Sequence, residues 1–159
     1  MPFDRNELRR VMGHFATGVT VVTTHDGAGR CYGLTANAVC SVSLEPPLIL
    51  VCVDKKAESH PAFGLSQAFA VNILGDGQEE LSRHFAVSGG DKFLDLRCRN
   101  GGTGAPILEG ALAHVECRVV STYDAGDHTI YIGEVESAAG REGHPLLFFR
   151  GRYHHLRHD

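Results

Sequence analysis

The residues of this chain best suited to chemistry form one run, Gly33-Leu34-Thr35-Ala36-Asn37-Ala38-Val39-Cys40-Ser41-Val42-Ser43-Leu44-Glu45-Pro46-Pro47. Small and hydroxyl-bearing side chains at this density let a flat heteroaromatic ring approach the backbone and find hydrogen-bond donors and acceptors. A Ser/Thr-rich edge strand with no ligand has the same pattern. Two further groups could serve an anion or a redox partner. Lys55 and Lys56 precede Ser59, which stands before a helix start marked by Pro61, where free amides and the positive dipole end favour a phosphate. Solvated surface lysines are the plain alternative. Gly126-Asp127-His128 sets an imidazole after a turn and at the head of a strand, a place that suits either a site residue or a structural histidine.

Other chemistries find less support. No Gly-x-Gly-x-x-Gly lies between a strand and a helix, and no P-loop is present; Gly101-Gly102-Thr103-Gly104 has no apolar strand feeding it and reads as a flexible loop. The five cysteines (Cys31, Cys40, Cys52, Cys98 and Cys117) are widely spaced without a Cys-x-x-Cys, which argues against a disulfide framework and a zinc knuckle. His154, His155 and His158 cluster near the C-terminus, but neighbours on a strand point to opposite faces, so no metal is expected.

The elements that must position these residues are mostly strands. A helix is expected over about Asp4 to Ala16, capped by Asp4 with Glu7 at the capping-box position and Leu8, Val11, Met12 and Phe15 on one face. Val19 to Thr24 is a β-branched strand ending in the turn His25 to Gly29, and Leu48 to Val53 and Phe69 to Leu74 are apolar strands. A short helix from Ser59 to about Ser66 lies between these two, and a second follows Asp76, its expected cap, with Leu81 and Phe85 on one face. Ser88 to Gly110 reads as a long loop. Ala111 to Tyr123, His128 to Ala138, Leu146 to Phe149 and Arg152 to Leu156 close the chain as strands. Many short strands with few helices suggest a closed or partly closed antiparallel barrel.

The 159 residues, 43% hydrophobic and 21% charged, suit one domain spanning 1–159 with a genuine core. A formal charge of -4 with scattered basic residues lacks the electrostatic footprint of nucleic-acid binding. No apolar run approaches a membrane span, and the N-terminus is a charged amphipathic pattern rather than a signal peptide, so a cytoplasmic protein is expected.

The run from Thr35 to Pro47 is followed in order by Phe69-Ala70-Val71-Asn72-Ile73-Leu74, Leu81-Ser82-Arg83-His84-Phe85-Ala86, Asp91-Lys92-Phe93, Gly126-Asp127-His128 and Gly151-Arg152-Tyr153. Together these segments resemble the short-chain flavin reductases, the reductase components of two-component flavin monooxygenases, and the resemblance covers nearly the whole chain. It implies a mainly β fold, the FMN-binding split barrel, an antiparallel split β-barrel with a few short flanking helices. It further implies a homodimer that binds FMN or FAD, reduces it with NADH or NADPH, and releases reduced flavin to a partner monooxygenase. By the same resemblance Thr35, Ala36, Asn37 and Ala38 face the isoalloxazine and ribityl chain, and Cys52, Val53 and Asp54 lie along the other side. Lys56 and Ser59 sit near the phosphate, Arg83 and Phe85 are further flavin contacts, and Lys92 and Tyr153 complete the cofactor set. Gly126 and His128 take the nicotinamide side. His128 is the catalytic candidate, as an orienting contact, because hydride transfer needs chiefly parallel stacking of the two cofactors. A non-catalytic flavin-binding or electron-carrier protein on the same barrel is the alternative, and a split-barrel relative that binds haem or oxidises another substrate is a second.

Overall fold

Strand-forming runs wrap around one apolar interior. The computed structural model describes residues 2–157, and His158 of the terminal histidine cluster therefore lies outside the described residues. In chain order the elements are α1 Arg5–Met12, β1 Thr17–Gly18, β2 Thr20–His25, β3 Cys31–Ala36, β4 Val39–Leu44, β5 Pro47–Asp54, α2 His60–Ser66, β6 Ala68–Ile73, α3 Glu79–Ala86, β7 Cys98–Asn100, β8 Pro106–Leu108, β9 Ala113–Ala125, β10 His128–Gly140, β11 Leu146–Phe149 and β12 Arg152–His155. Seven strands form one antiparallel sheet in the order β3-β2-β6-β9-β10-β5-β4. Its two end strands, β3 and β4, are joined only by Asn37 and Ala38, so the sheet curls back on itself and leaves an unpaired seam where it would close. A side sheet, β1-β11-β12, packs beside it. Among the described residues no helix is long and apolar enough to cross a membrane.

The barrel interior is filled by Val22, Val51, Val53, Phe63, Phe69, Val71, Cys117 and Tyr131. Burial pushes the Cys117 thiol up to about 12, so it serves as an inert core group. Tyr131 and Gly133 are both buried on β10, as the two-residue period requires. A Cβ on Gly133 would stand 2.6 Å from Cys117 Cβ and 2.7 Å from Phe69 Cζ, so β10 can cross Phe69 only with glycine there. A second cluster, Val19, Val21, Leu74, Phe85, Leu108 and Leu146, joins the barrel to α3 and the side sheet.

The structure departs from the sequence expectations at several ends. Asp4 does cap α1, its Oδ1 accepting from Asn6 N at 2.9 Å, but the helix stops at Met12 because Gly13 caps it and the chain turns into β1, paired with β11. Glu7 pairs with Arg10 instead of completing a capping box. Asp76 does not cap α3; Gln78 holds that position, with its Oε1 turned back to accept from Gly75 N at 2.8 Å, while Asp76 N donates to His144 O. The Ser88 to Gly110 stretch carries a hairpin, β7 with β8, whose second strand is wholly buried. Long-range bonds make that strand: Leu108 N donates to the buried Asn72 Oδ1 at 2.9 Å, and Thr23 Oγ1 donates to Pro106 O at 2.5 Å. No local periodicity in the sequence reports such partners.

Candidate functional site

Beside β3, one end strand of the sheet, lies a cleft of about 430 Å³. Its floor is β3, contiguous from Arg30 to Asn37, and among the described residues β3 pairs only with β2, so its other edge presents free backbone N–H and C=O groups. One wall is the corner after β5, Asp54 and Ala57 to Ser59; the other is the C-terminal end of α3 with the following loop to Phe93. Phe148 and Tyr153 of the side sheet close the end. Two local features shape the floor. Gly33 is buried, and a Cβ there would lie 2.8 Å from Phe85 Cε1 and 3.4 Å from Phe93 Cζ, so glycine allows these edge-to-face rings to pack against the strand. Asn37, in the two-residue link from β3 to β4, ends the floor, and Ala38 lies outside the lining.

A hydrogen-bond chain ties the walls together. Thr35 Oγ1 donates to Ser82 O at 2.5 Å, and Ser82 Oγ is 2.6 Å from Tyr153 OH. Ser82 is fully buried, so floor, helix and side sheet are registered by one side chain. On the far side, Glu58 Oε2 accepts from Gly89 N at 3.0 Å and His84 Nε2 is 2.7 Å from Lys92 O, which pins the loop over the cleft.

Of the residues expected at the site, Thr35, Ala36, Asn37, Asp54, Ser59, Phe85, Lys92 and Tyr153 line this one cleft. The others stand elsewhere. Ala38 and Cys52 face a neighbouring apolar groove under Met12 and Phe15, because the corner at Asn37 turns the chain away from the cleft. Val53 is 1% exposed and its side chain belongs to the barrel core, as alternation along β5 demands. Lys56 is exposed and does not reach the cleft lining; its backbone N donates to Asp54 Oδ1. Arg83 projects outward, donating to Glu79 Oε1 at 2.8 Å with its guanidinium 4.9 Å from the Tyr153 ring centroid. Ser59 lines the cleft but makes no capping bond to α2.

Gly126 and His128 lie just outside the lining, in the β9–β10 turn. That turn is fastened to the cleft wall. His128 pairs in register with Asp54, Lys55 N donates to Asp127 O at 2.9 Å, and Lys55 Nζ binds Asp124 and Gly126 O. Gly126 adopts φ 66°, the left-handed conformation the tight turn needs. His128 Nδ1 is 2.7 Å from Asp127 Oδ1, and this hydrogen bond holds the Asp127 carboxyl below its ordinary value. With Nδ1 so engaged, Nε2 is the nitrogen left to meet a ligand at the mouth.

Sequence reasoning missed Arg30, Tyr32, Glu58, Ser82, Phe93 and Phe148 as lining residues. Arg30 and Tyr32 precede Gly33 on the same strand and Phe93 follows Lys92, so proximity could have suggested them. Ser82 and Phe148 come from elements whose placement only packing determines.

Comparison with known proteins gives a consistent picture. A family model described as a flavin reductase like domain matches residues 12–157. The reductase component of a 4-nitrophenol 4-monooxygenase/4-nitrocatechol 2-monooxygenase from Rhodococcus opacus is 44% identical over 156 residues, 98% of this chain and 83% of that protein. An NADH-dependent FAD reductase from Streptomyces globisporus is 46% identical over 166 residues, covering 99% and 89%. The solved structure of the flavin reductase PheA2 superposes with a TM-score of 0.90 at 44% identity, over 98% of this chain and 100% of that one.

Proposed function

The chain belongs to the flavin reductase-like domain family, and from that premise we infer that it is an NADH-dependent flavin reductase whose reduced FMN or FAD serves a partner monooxygenase. The observation that carries this reading is the cleft floored by the free edge of β3, with the small residues Thr35 to Asn37 on it and the His128 turn beside its Asp54 wall.

These residues fit a flavin. The free N–H and C=O groups of β3 match the alternating acceptors and donors of the pyrimidine edge, and Ala36 and Asn37 leave room for the ring to approach them. We assign Thr35, Ala36, Asn37 and Asp54 to the isoalloxazine and ribityl chain, Ser59 and Lys92 to the phosphate, and Phe85 and Tyr153 to the surrounding wall. Thr35 Oγ1 is already committed to Ser82, so its part is to hold the floor against α3 rather than to bond the ring. When bound, flavin would supply the hydride acceptor for the reduced nicotinamide. The protein's work is alignment of the two rings and exclusion of water between them. His128, steadied by Asp127, orients the nicotinamide from the mouth. His128→Ala is expected to raise the KM for NADH about ten-fold while flavin affinity stays within about two-fold. Steady-state NADH oxidation with added FMN or FAD, beside a flavin titration, checks this and the reading as a whole. A protein that binds flavin but never oxidises NADH would be a carrier instead.

A homodimer is part of the proposal. Leu8, Val11, Met12 and Phe15 of the α1 region are about half to three-quarters exposed, and Met12 and Phe15 line an apolar groove of about 720 Å³. Such a surface on a chain of this size is covered by a partner, here a second copy. Leu8→Glu with Phe15→Glu is expected to yield monomers in sedimentation velocity, with the parent running as a dimer. The cytoplasm, where NADH is available, is the proposed location.

A further inference from the structure

The turn before His128 reaches past the strand beside it. Pairing between β5 and β10 ends at Asp54 and His128, and only Gly126 and Asp127 join β10 back to β9, so the tip of this hairpin stands beyond the last residue of β5. One residue of the β5 corner holds it there. Lys55 N donates to Asp127 O at 2.9 Å and Lys55 Nζ donates to Gly126 O at 2.8 Å, so the carbonyls of both turn residues are taken by the same lysine. Lys55 Nζ also pairs with Asp124 of β9. In the sheet order β9-β10-β5 the strand β10 lies between the two, and the lysine side chain therefore straddles the head of β10, where His128 stands. His60 Nε2, 2.9 Å from Thr129 Oγ1, ties β10 to α2 just below the turn. Lys55 is not part of the cleft lining, and its ammonium is engaged with the turn instead.

We propose that Lys55 is a positioning residue for hydride transfer: by clasping the Gly126-Asp127 turn to the Asp54 corner it fixes where the His128 imidazole stands, and so how the nicotinamide is presented to the flavin. This role rests on the nicotinamide contact assigned above to His128. Loss of the clasp should cost little stability, because the Asp124 side chain is 81% exposed and ion pairs at such sites contribute little to folding. Alignment is more sensitive, since a misplacement of about 1 Å can cost about a hundred-fold in rate.

Steady-state NADH oxidation with added FMN or FAD, beside a titration of the same flavin and a thermal melt, tests the role. The proteins compared are the parent, Lys55→Met, Lys55→Arg, Asp124→Asn, and Lys55→Met combined with His128→Ala. Lys55→Met keeps the aliphatic stem and removes the ammonium; it is expected to raise the KM for NADH about five-fold, with flavin affinity within about two-fold of the parent and the melting temperature unmoved. Lys55→Arg can still donate to Gly126 O and Asp124 and should stay near the parent, while Asp124→Asn, which leaves both backbone bonds in place, should fall between. Added to His128→Ala, Lys55→Met should bring no further rise, because a positioning residue acts through the group it positions. A KM within about two-fold of the parent in Lys55→Met overturns the proposal. So does an equal rise in the His128→Ala background, which would make Lys55 a direct contact of NADH, or a parallel loss of flavin affinity, which would place it on the flavin. A parent chain that oxidises no NADH with either flavin overturns the reductase reading itself, a distinct result.

Discussion

Replacing Gly33 by valine is expected to weaken FMN binding about a hundred-fold while leaving a folded β-barrel. The position is buried on β3, in register with Thr23 of β2, and a branched side chain suits an extended strand, so the backbone tolerates the change. The cleft does not. Even the first added carbon would lie 2.8 Å from Phe85 Cε1 and 3.0 Å from Phe85 Cδ1, and Phe85, 2% exposed among Val19, Leu74 and Leu146, has no room to retreat inward. It must swing toward the cleft, carrying Phe93 with it. Overpacking of this kind costs about 1–3 kcal/mol of stability, whereas a ring displaced into a planar site blocks its ligand outright. Flavin fluorescence titration beside a thermal melt separates the two effects. Gly33→Val with Phe85→Leu should recover most of the affinity; a single variant that binds FMN within about three-fold of the parent would sink the argument.

Glu116 governs the second large effect. This carboxylate on β9 is 5% exposed, yet it accepts from Ser137 Oγ at 2.6 Å, Thr103 Oγ1 at 3.1 Å and Thr103 N at 3.2 Å. A Cβ on Gly101 would overlap it, so glycine there lets the loop fold directly over the acid. Burial by itself pushes the Glu116 carboxyl up, but the bonds from Ser137 and Thr103, with His114 nearby, outweigh it and hold the group below its ordinary value. A folded pKa below the unfolded one means that the stabilisation is present above the ordinary glutamate range and is lost as pH falls through that range towards the folded value. Glu116→Ala strands three donors at once and is expected to cost about 3 kcal/mol near neutral pH. Glu116→Gln keeps the shape and removes the charge, so its denaturation midpoint should fall less steeply than the parent's between about pH 5 and 3. Urea melts across that interval check both; equal slopes for parent and Glu116→Gln would exclude Glu116 as the titrating group.

The fold class was legible from residue patterns because alternation and β-branching are local. The runs Val19 to Thr24, Leu48 to Val53 and Phe69 to Leu74 fall in strands where those patterns indicate, apart from the end residues Val19 and Leu74. Element ends were less legible. Asp76 has the chemistry of a helix cap and is not one, because a backbone bond to His144 O, sixty-eight residues on, sets that turn instead. The hairpin of β7 and β8 was hidden for a similar reason, since the Asn72 and Thr23 side chains that hold it belong to other strands.

The site divides in the same way. Thr35, Ala36 and Asn37 could be marked from their small size and hydroxyl or amide groups, and ordered agreement with distant segments gave the family. Residue types and their order along the chain thus determined the class of fold, the class of ligand and part of the cleft floor. Only the tertiary structure decided which neighbours surround that floor. At Asn37 the chain turns a corner, so Ala38 and Cys52 leave for the apolar groove while Ser82 and Phe148, from helix and side sheet, enter the cleft. It also decided that Arg83 faces outward and that Arg30 lies over Tyr32. The physical reason is that side-chain chemistry is a property of one residue, whereas a cleft is a property of packing between segments far apart in the chain, which no local pattern encodes.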